Sequence, residues 1–370
     1  MSLPRLLLLI CVLVIFALGL VMIFNTSSAE VLDHSLKKST NEALIRQILY
    51  AILGCTVAVG AYLIGYRDLL QLSTPLFLFF VGLLILTLIP GIGISVNGAR
   101  RWIGVGGYTI QPSEFVKLIL PFFCLHQMQC RGEEISKTKD FLKLTAAAAV
   151  AILLVLVEPN NGTAAFLGFL MVVLFLLTGV STKYWAIPML SVMLIGGVVA
   201  VNSPYVFARL KVYLNPELDI HGRGHQPHQA KIAAGSGGLL GKGPGKSLQK
   251  LSYLPEAQND YIAAIYAEEF GFLGTLTLIL LYMILASLGF FIAFHANDRA
   301  GFYIAAMTTF VICFQAFFNL AVVSGMLPST GLNLPFFSQG GSSLMTNIIG
   351  IGLLLDVARK SERKLYSFTM

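Results

Sequence analysis

The sequence predicts an all-α polytopic membrane protein of about ten transmembrane helices, and three observations predict it. Of its 370 residues, 56% are hydrophobic and only 12% charged, whereas soluble domains carry about a quarter charged residues. Mean hydropathy is +0.79. The apolar residues also fall in blocks of roughly 20, the length that crosses about 30 Å of hydrocarbon at 1.5 Å per residue.

Charged or Gly/Pro-rich punctuation places these blocks at 6–25, 47–66, 69–90, 111–129, 141–157, 163–180, 184–201, 261–294, 301–326 and 341–357. The first follows Arg5 without a small-residue cleavage site, so it reads as a retained helix rather than a leader. The second and third flank Arg67 and Asp68. The fourth opens on Gln111-Pro112-Ser113, with proline in the first turn and Ser113 able to cap. The fifth and sixth flank the turn Glu158-Pro159-Asn160-Asn161-Gly162. The eighth, 261–294, is too long for one untilted crossing, so its first turns stand proud of the bilayer or lie in the protein interior. The whole chain, 1–370, reads as a single integral membrane domain, interrupted by a long connection at about 202–260. That connection is far longer than the usual ~4–6 residues and mixes aromatics, glycines and charges of both signs, which points to an ordered, functional loop.

Charge fixes the expected orientation. With the N-terminus inside, Arg5, Arg67, Arg131, Lys137, Lys139, Lys183, Arg299 and the tail Arg359, Lys360, Arg363 and Lys364 collect on the cytoplasmic side. An even number of spans places both termini there, in the cytoplasmic (inner) membrane, and the long loop outside. The opposite side still holds Lys37, Lys38, Arg100, Arg101 and several loop lysines, which topology leaves unexplained. The net charge of +7 sits in connections and tail, where it meets anionic membrane lipid. No basic module stands apart, so nucleic acid is not an expected partner. The five cysteines contain no CxxC pair and imply no disulfide framework.

Four segments on the expected outer face are polar where a plain bundle needs only a turn. Asn97-Gly98-Ala99-Arg100-Arg101-Trp102 leads to Gln111-Pro112-Ser113-Glu114 and Lys117. Glu114 and Lys117, three apart, share one helix face and can pair. Such a pair is bland at a surface, but ionisable residues inside a span are functional candidates. Glu158 to Thr163 reads as a tight turn. Gln229 and Lys231 lead into Gly235-Ser236-Gly237-Gly238-Leu239-Leu240-Gly241-Lys242-Gly243. Beside Lys242 and Lys246, that glycine run is either a phosphate cradle built from backbone N–H groups or a flexible loop. Finally, Leu254-Pro255-Glu256-Ala257-Gln258-Asn259-Asp260 ends at the mouth of a helix that carries Glu268 and Glu269. Asp260 is either a base in a partly buried setting or a helix N-terminal cap. The six histidines form no metal motif, and His225 with His228 reads as a solvated pair. No resident metal is expected, although Asp260 and a substrate pyrophosphate together can hold a divalent cation, Mg or Mn.

In this order and spacing the segments resemble the SEDS family (shape, elongation, division and sporulation). The likeness runs from about Arg46 to Arg359. It rests on Gly98 to Trp102, Gln111 to Glu114 with Lys117, Gly235 to Gly238 with Gly241-Lys242-Gly243, and Tyr253-Leu254-Pro255-Glu256. Thr330-Gly331, Leu334-Pro335, Ser338 and Gly340-Gly341-Ser342-Ser343 complete it. The resemblance implies ten helices and a peptidoglycan glycosyltransferase that uses lipid II, an undecaprenyl-pyrophosphoryl disaccharide-pentapeptide. It implies Asp260 as the catalytic residue and a class B penicillin-binding protein, a transpeptidase, as partner. Arg46, Arg100, Arg101, Glu114, Lys117, Gln229, Lys242, Glu256 and Ser342 become the residues expected to bind substrate or organise the site. The segments at 255–257 and 340–347 favour the division branch, with other divisome proteins as further partners. Three positions depart from the family pattern: Asn160 stands for an aspartate, Asn259 for a threonine and Gln339 for a tyrosine. The competing readings are a lipid II flippase, an elongation-type polymerase and a non-catalytic scaffold. A flippase calls for a central switchable polar path, whereas the polar residues here concentrate on one face.

Overall fold

A computed structural model describes residues 3–34, 41–96, 98–131, 138–202, 207, 213, 224–250, 254 and 258–367. Each of the ten apolar blocks holds one long helix. These are α1 (Leu3–His34), α2 (Glu42–Ile64), α4 (Ser73–Leu88), α5 (Pro112–Arg131), α6 (Thr138–Val157), α7 (Asn161–Leu177), α8 (Thr182–Asn202), α10 (Ile262–Phe294), α11 (Arg299–Val323) and α12 (Gly341–Ser367). Two short helices join them, α3 (Tyr66–Gln71) and α9 (His225–Ser236). Stretches of α1, α2, α10, α11 and α12 are long and apolar enough to cross a membrane, and 73–88, 141–157 and 161–177 are shorter apolar helices. The chain is a multi-pass helical membrane protein.

The contacts divide the chain into two compact units. One comprises Met1–Gly54, Pro204–Gly289 and Ile312–Asn347. The other comprises Cys55–Ser203, Phe290–Val311 and Ile348–Met370.

In the second unit, α4 lies on α5, and α6 packs against α7 and α8. The helical reading did not include a three-stranded antiparallel sheet: β1 (Gly93–Val96), β2 (Ala99–Val105) and β3 (Tyr108–Ile110), in the order β1-β2-β3. Its local cause is turn chemistry. Val105 pairs with Tyr108 around Gly106 and Gly107, whose φ values of 61° and 85° suit the two-residue hairpin turn whose twist matches the strands. On the other side Ile94 pairs with Trp102 and Ser95 with Arg100, leaving Arg101 as the extra residue of a β-bulge. Bulges re-aim a side chain. The strands are three to seven residues long, too short to stand out against the surrounding apolar helices.

In the first unit, α10 is broken at Gly271 (φ 66°, ψ −162°). Tyr261 through Glu269 are all buried, so the first turns lie in the protein interior, one of the two expected placements. Such a break leaves helical N–H and C=O groups without partners, and within a membrane chain these must be met by protein. The glycine segment after α9 meets them. Lys242 and Gly243 donate backbone N–H groups to the carbonyls of Glu268 and Glu269, at 3.0 Å each. Phe272 and Leu273 donate in turn to Gly238 and Leu239, at 2.9 and 3.2 Å. The approach tolerates no side chain, since a Cβ on Gly241 would lie 2.1 Å from the carbonyl oxygen of Glu269. The glycine run is therefore not a loose loop. It splints the broken helix, and two of the N–H groups that a cradle would need are spent on α10.

Candidate active site

Asp260 lies in the turn that leads into α10, half-exposed, with buried Tyr261 and Ile262 directly after it. Its surroundings are set by side-chain amides that emerge from apolar helices. Asn319 of α11, 1% exposed, donates 2.8 Å hydrogen bonds from its one amide nitrogen to the carbonyls of Asp260 and Leu332. The backbone N–H of Gln339 donates to the carbonyl of Gln258 at 2.9 Å. Gln315 donates to the Asn333 carbonyl and to Ser343, and Asn333 donates to the Gln339 carbonyl at 2.6 Å. Gln47 donates to the Ser338 carbonyl and accepts from the N–H of Gly340. These bonds fasten the irregular segment between α11 and α12 to the Asp260 turn. Gly331, at φ 77°, faces the carboxylate: a Cβ there would lie 3.7 Å from Asp260 Oδ2. The Gln339 departure leaves the tie intact, because the link to Gln258 runs through its backbone.

Behind the turn stand two buried carboxylates, Glu268 and Glu269, 0% and 1% exposed. Lys242 pairs with Glu268 at 2.5 Å, and Ser247 donates its hydroxyl to the same carboxylate. Lys250 pairs with Glu269 at 2.9 Å, while Asn25 of α1 and the N–H of Gly245 donate to that carboxylate at 2.7 and 3.0 Å. Charges this deeply buried persist only when paired and hydrogen-bonded. Residues 242–250 thus wrap the two acids. Lys242, itself exposed, has its ammonium tied to Glu268.

The second unit gathers two of the four polar segments at one place. Arg101, re-aimed by the bulge, donates Nε to the Glu158 carbonyl at 3.1 Å and a terminal nitrogen to the Pro159 carbonyl. Asn160 donates to the Ser113 hydroxyl at 3.3 Å, and Gln111 donates to the same oxygen. Glu114 and Lys117 form a 2.7 Å ion pair at 10% and 1% side-chain exposure. Lys117 Nζ also stands 5.7 Å from the Phe166 ring centroid on α7. The Glu158 carboxyl is fully buried, and burial pushes it up to about 8 against the nearby charge of Arg101.

The remaining sequence candidates fall elsewhere. Arg46 forms an exposed ion pair with Glu42 one turn away, at 2.6 Å. Arg100 is exposed on β2. Gln229 is half-buried on α9, which also carries His225 and His228. Ser342 is buried in the first turn of α12, its carbonyl accepting from the Thr346 hydroxyl at 2.9 Å. Glu256 lies outside the described residues. Among the described residues no group of three or more His, Cys, Asp or Glu is placed to hold a metal ion. Sequence reasoning missed Gln47, Gln315, Asn319 and Asn333. Their signal was present: three of these amides sit in or at the edge of strongly apolar blocks, where a polar side chain must find a partner.

The family model described as cell cycle protein, FtsW/RodA/SpoVE, matches residues 5–363. A probable peptidoglycan glycosyltransferase FtsW of Trichlorobacter lovleyi is 35% identical, covering 95% of this chain and 92% of its own. Stage V sporulation protein E of Bacillus subtilis is 36% identical, covering 97% and 98%. Among solved structures, a chain of a peptidoglycan synthase complex that coordinates polymerization and crosslinking superposes with TM-score 0.76 at 27% identity, covering 96% and 97%. Thermus thermophilus rod shape determining protein RodA superposes with TM-score 0.64 at 26% identity, covering 96% of each chain. By the family match and by these relatives, the chain belongs to the FtsW/RodA/SpoVE family of cell cycle proteins, the group its motifs resemble.

Proposed function

We propose that the chain is a peptidoglycan glycosyltransferase that polymerises lipid II, with Asp260 as its general base. The carrying observation is the Asp260 turn: a half-exposed carboxylate, fastened through its backbone by buried Asn319, facing Gly331, which sets no side chain against it. A sugar hydroxyl is a weak nucleophile and needs a base within hydrogen-bond reach. In this reading Asp260 takes the proton of the acceptor sugar's 4-hydroxyl. That oxygen attacks the donor's anomeric carbon with inversion, and the lipid pyrophosphate leaves with the bonding pair. Positive charge stabilises that leaving group. Exposed Lys246, in the same unit as Asp260, suits direct contact, and in the other unit Glu114 and Lys117 form a buried pair beside the Arg101 turn. A Mg or Mn ion would be held by Asp260 together with the substrate's own pyrophosphate and would supply positive charge to the leaving group.

The reading places the chemistry at the outer face of the cytoplasmic membrane, with both termini inside. It assigns a class B penicillin-binding protein as partner, supported by the structural likeness to a synthase complex that couples polymerization to crosslinking. Relatives carrying the FtsW name support a septal role among other divisome proteins. The test is polymerisation of purified lipid II by the detergent-solubilised protein with its transpeptidase, comparing wild type with Asp260→Ala and blocking crosslinking with a β-lactam. Polymer from wild type alone supports the reading. Equal polymer from both removes Asp260 as base, and lipid II translocation in vesicles without polymer turns the assignment to a flippase.

A further inference from the structure

We propose that Glu158 is a neutral carboxylic acid in the folded protein, donating its proton in a hydrogen bond to Thr87, and that this bond positions the turn Arg101 grips. The assignment comes from counting hydrogens. The Thr87 hydroxyl oxygen lies 2.7 Å from the Leu84 carbonyl oxygen and 2.6 Å from Glu158 Oε1. Each of these short oxygen–oxygen contacts needs a hydrogen between its atoms. A hydroxyl carries one hydrogen. The Leu84 carbonyl can only accept, so Thr87 donates there and the second hydrogen comes from the carboxyl group.

Burial leads to the same state. Glu158 is 0% exposed, and its Oε2 has no hydrogen-bond donor. An ionised carboxylate would leave a charged oxygen bare in the interior, a far larger cost than an unpaired carbonyl of a neutral acid. The charged groups facing the turn do not offset it. Helices α4 and α7 contain no Asp, Glu, Lys, Arg or His, and α6 carries its ionisable residues only at the opposite end. On α5, Glu114 and Lys117 neutralise each other. From the sheet, Arg101 directs its guanidinium to the two main-chain carbonyls of residues 158 and 159.

Glu158 therefore holds its turn from both sides. Its side chain hangs from Thr87 on α4, and its main-chain carbonyl takes the Arg101 guanidinium. It is a positioning residue that acts through Arg101, and its bearing on polymerisation rests on the function proposed above. Ionising it breaks the donor bond and strips the turn of its attachment to α4. Because the folded state keeps the proton longer than the unfolded chain, stability falls with rising pH between the unfolded value of 4.5 and the folded value of about 8.

The test is infrared spectroscopy of the intact detergent-solubilised protein, which needs no catalytic activity. The C=O stretch of a protonated, hydrogen-bonded carboxylic acid is expected at neutral pH. It should vanish in Glu158→Gln and shift in Thr87→Val, which keeps the side-chain shape and removes the acceptor. Melting temperature should fall as pH rises in wild type and become level in Glu158→Gln, whose amide donates to Thr87 at every pH. Polymer yield should decline on the alkaline side in wild type and less in Glu158→Gln, with Glu158→Ala weaker than either at neutral pH. A carboxylic acid band unchanged by Glu158→Gln, or pH slopes of melting that coincide in wild type and Glu158→Gln, overturns the proposal. If no variant makes polymer while the band behaves as described, the enzymatic reading fails and the neutral acid stands.

Discussion

Replacing Lys117 by methionine should destabilise the protein more than replacing Lys250, although both lysines end on buried carboxylates. The difference lies in what each carboxylate keeps. Glu114 pairs with Lys117 at 2.7 Å, and the pair is 10% and 1% exposed. With the cation gone, a buried acid remains without its counter-ion, a situation that costs about 3–5 kcal/mol. Loss of the contact with the Phe166 ring, 5.7 Å away, adds about 0.5–1 kcal/mol. Glu269 is as deeply buried, yet after loss of Lys250 it still receives Asn25 at 2.7 Å and the Gly245 N–H at 3.0 Å. Removing Lys250 therefore costs one charge-assisted bond to a carboxylate, about 1.5–3 kcal/mol, together with 2.7 Å bonds to Asn25 Oδ1 and to the exposed Gly245 carbonyl, which water can replace. The assay is thermal or denaturant unfolding in detergent of both single variants and of Glu114→Gln/Lys117→Met. The double variant should recover much of the Lys117→Met loss, because it removes the stranded charge. An equal or reversed order of the two lysine variants, or additive losses in the double variant, would refute the reasoning.

Three further outcomes follow from the same structure. Gly241→Ala should abolish folding or strongly lower the melting temperature, since its Cβ would sit 2.1 Å from the Glu269 carbonyl oxygen at φ 81°, whereas Gly235→Ala, with open space around it, should change melting little. Asn319→Leu should lower the turnover of lipid II more than its apparent affinity, because it releases the Asp260 turn without touching exposed cations; initial rates across lipid II concentrations decide it. Asp298, in the turn between α10 and α11, is held below the usual aspartate range: burial works to raise it, but the Gly301 N–H, Arg67 and Tyr66 outweigh burial. A depressed carboxyl adds stability that is present above its unfolded value of 3.8 and lost as pH falls through the folded value. Asp298→Asn should therefore cost melting temperature at neutral pH and converge on wild type in acid.

Long-period features were legible in the sequence and short-range compensations were not. Ten helices could be read because each needs about 20 apolar residues, and a chain with ten such runs cannot bury them all from water in one small core. Arg101, Ser113 and Asn160 belong to segments that stood out as polar excess, and the structure brings them together in one unit. The β-bulge that aims Arg101 depends on a register shift of one residue, which no composition signal carries. The role of the glycine segment also escaped, because its partner is a helix break some 30 residues on in the chain. A glycine run beside lysines looks the same whether its N–H groups meet phosphate or the carbonyls of Glu268 and Glu269. Gln47, Gln315 and Asn319 were visible as polar residues among apolar ones, but their targets are main-chain carbonyls, which every residue possesses.

The splint at Gly271 also bears on why the Asp260 turn is built as it is. In hydrocarbon an unpaired backbone group has no water to turn to, so irregular main chain survives only where protein supplies its partners. This unit places two irregular segments close to Asp260: the broken start of α10, and the stretch from Gly325 to Gly340 between α11 and α12. Each is met by groups drawn from distant sequence, the first by residues 238–243 and the second by Gln47, Gln315 and Asn319. Helices in lipid gain little from apolar association, so packing and internal hydrogen bonds set their registry. The buried amides and paired acids hold a half-exposed carboxylate at the end of an apolar helix, in a geometry that helix propensity alone would not give. Shortening the segment 237–243 should therefore disturb the Asp260 turn through α10, the helix whose broken start that segment holds by its backbone.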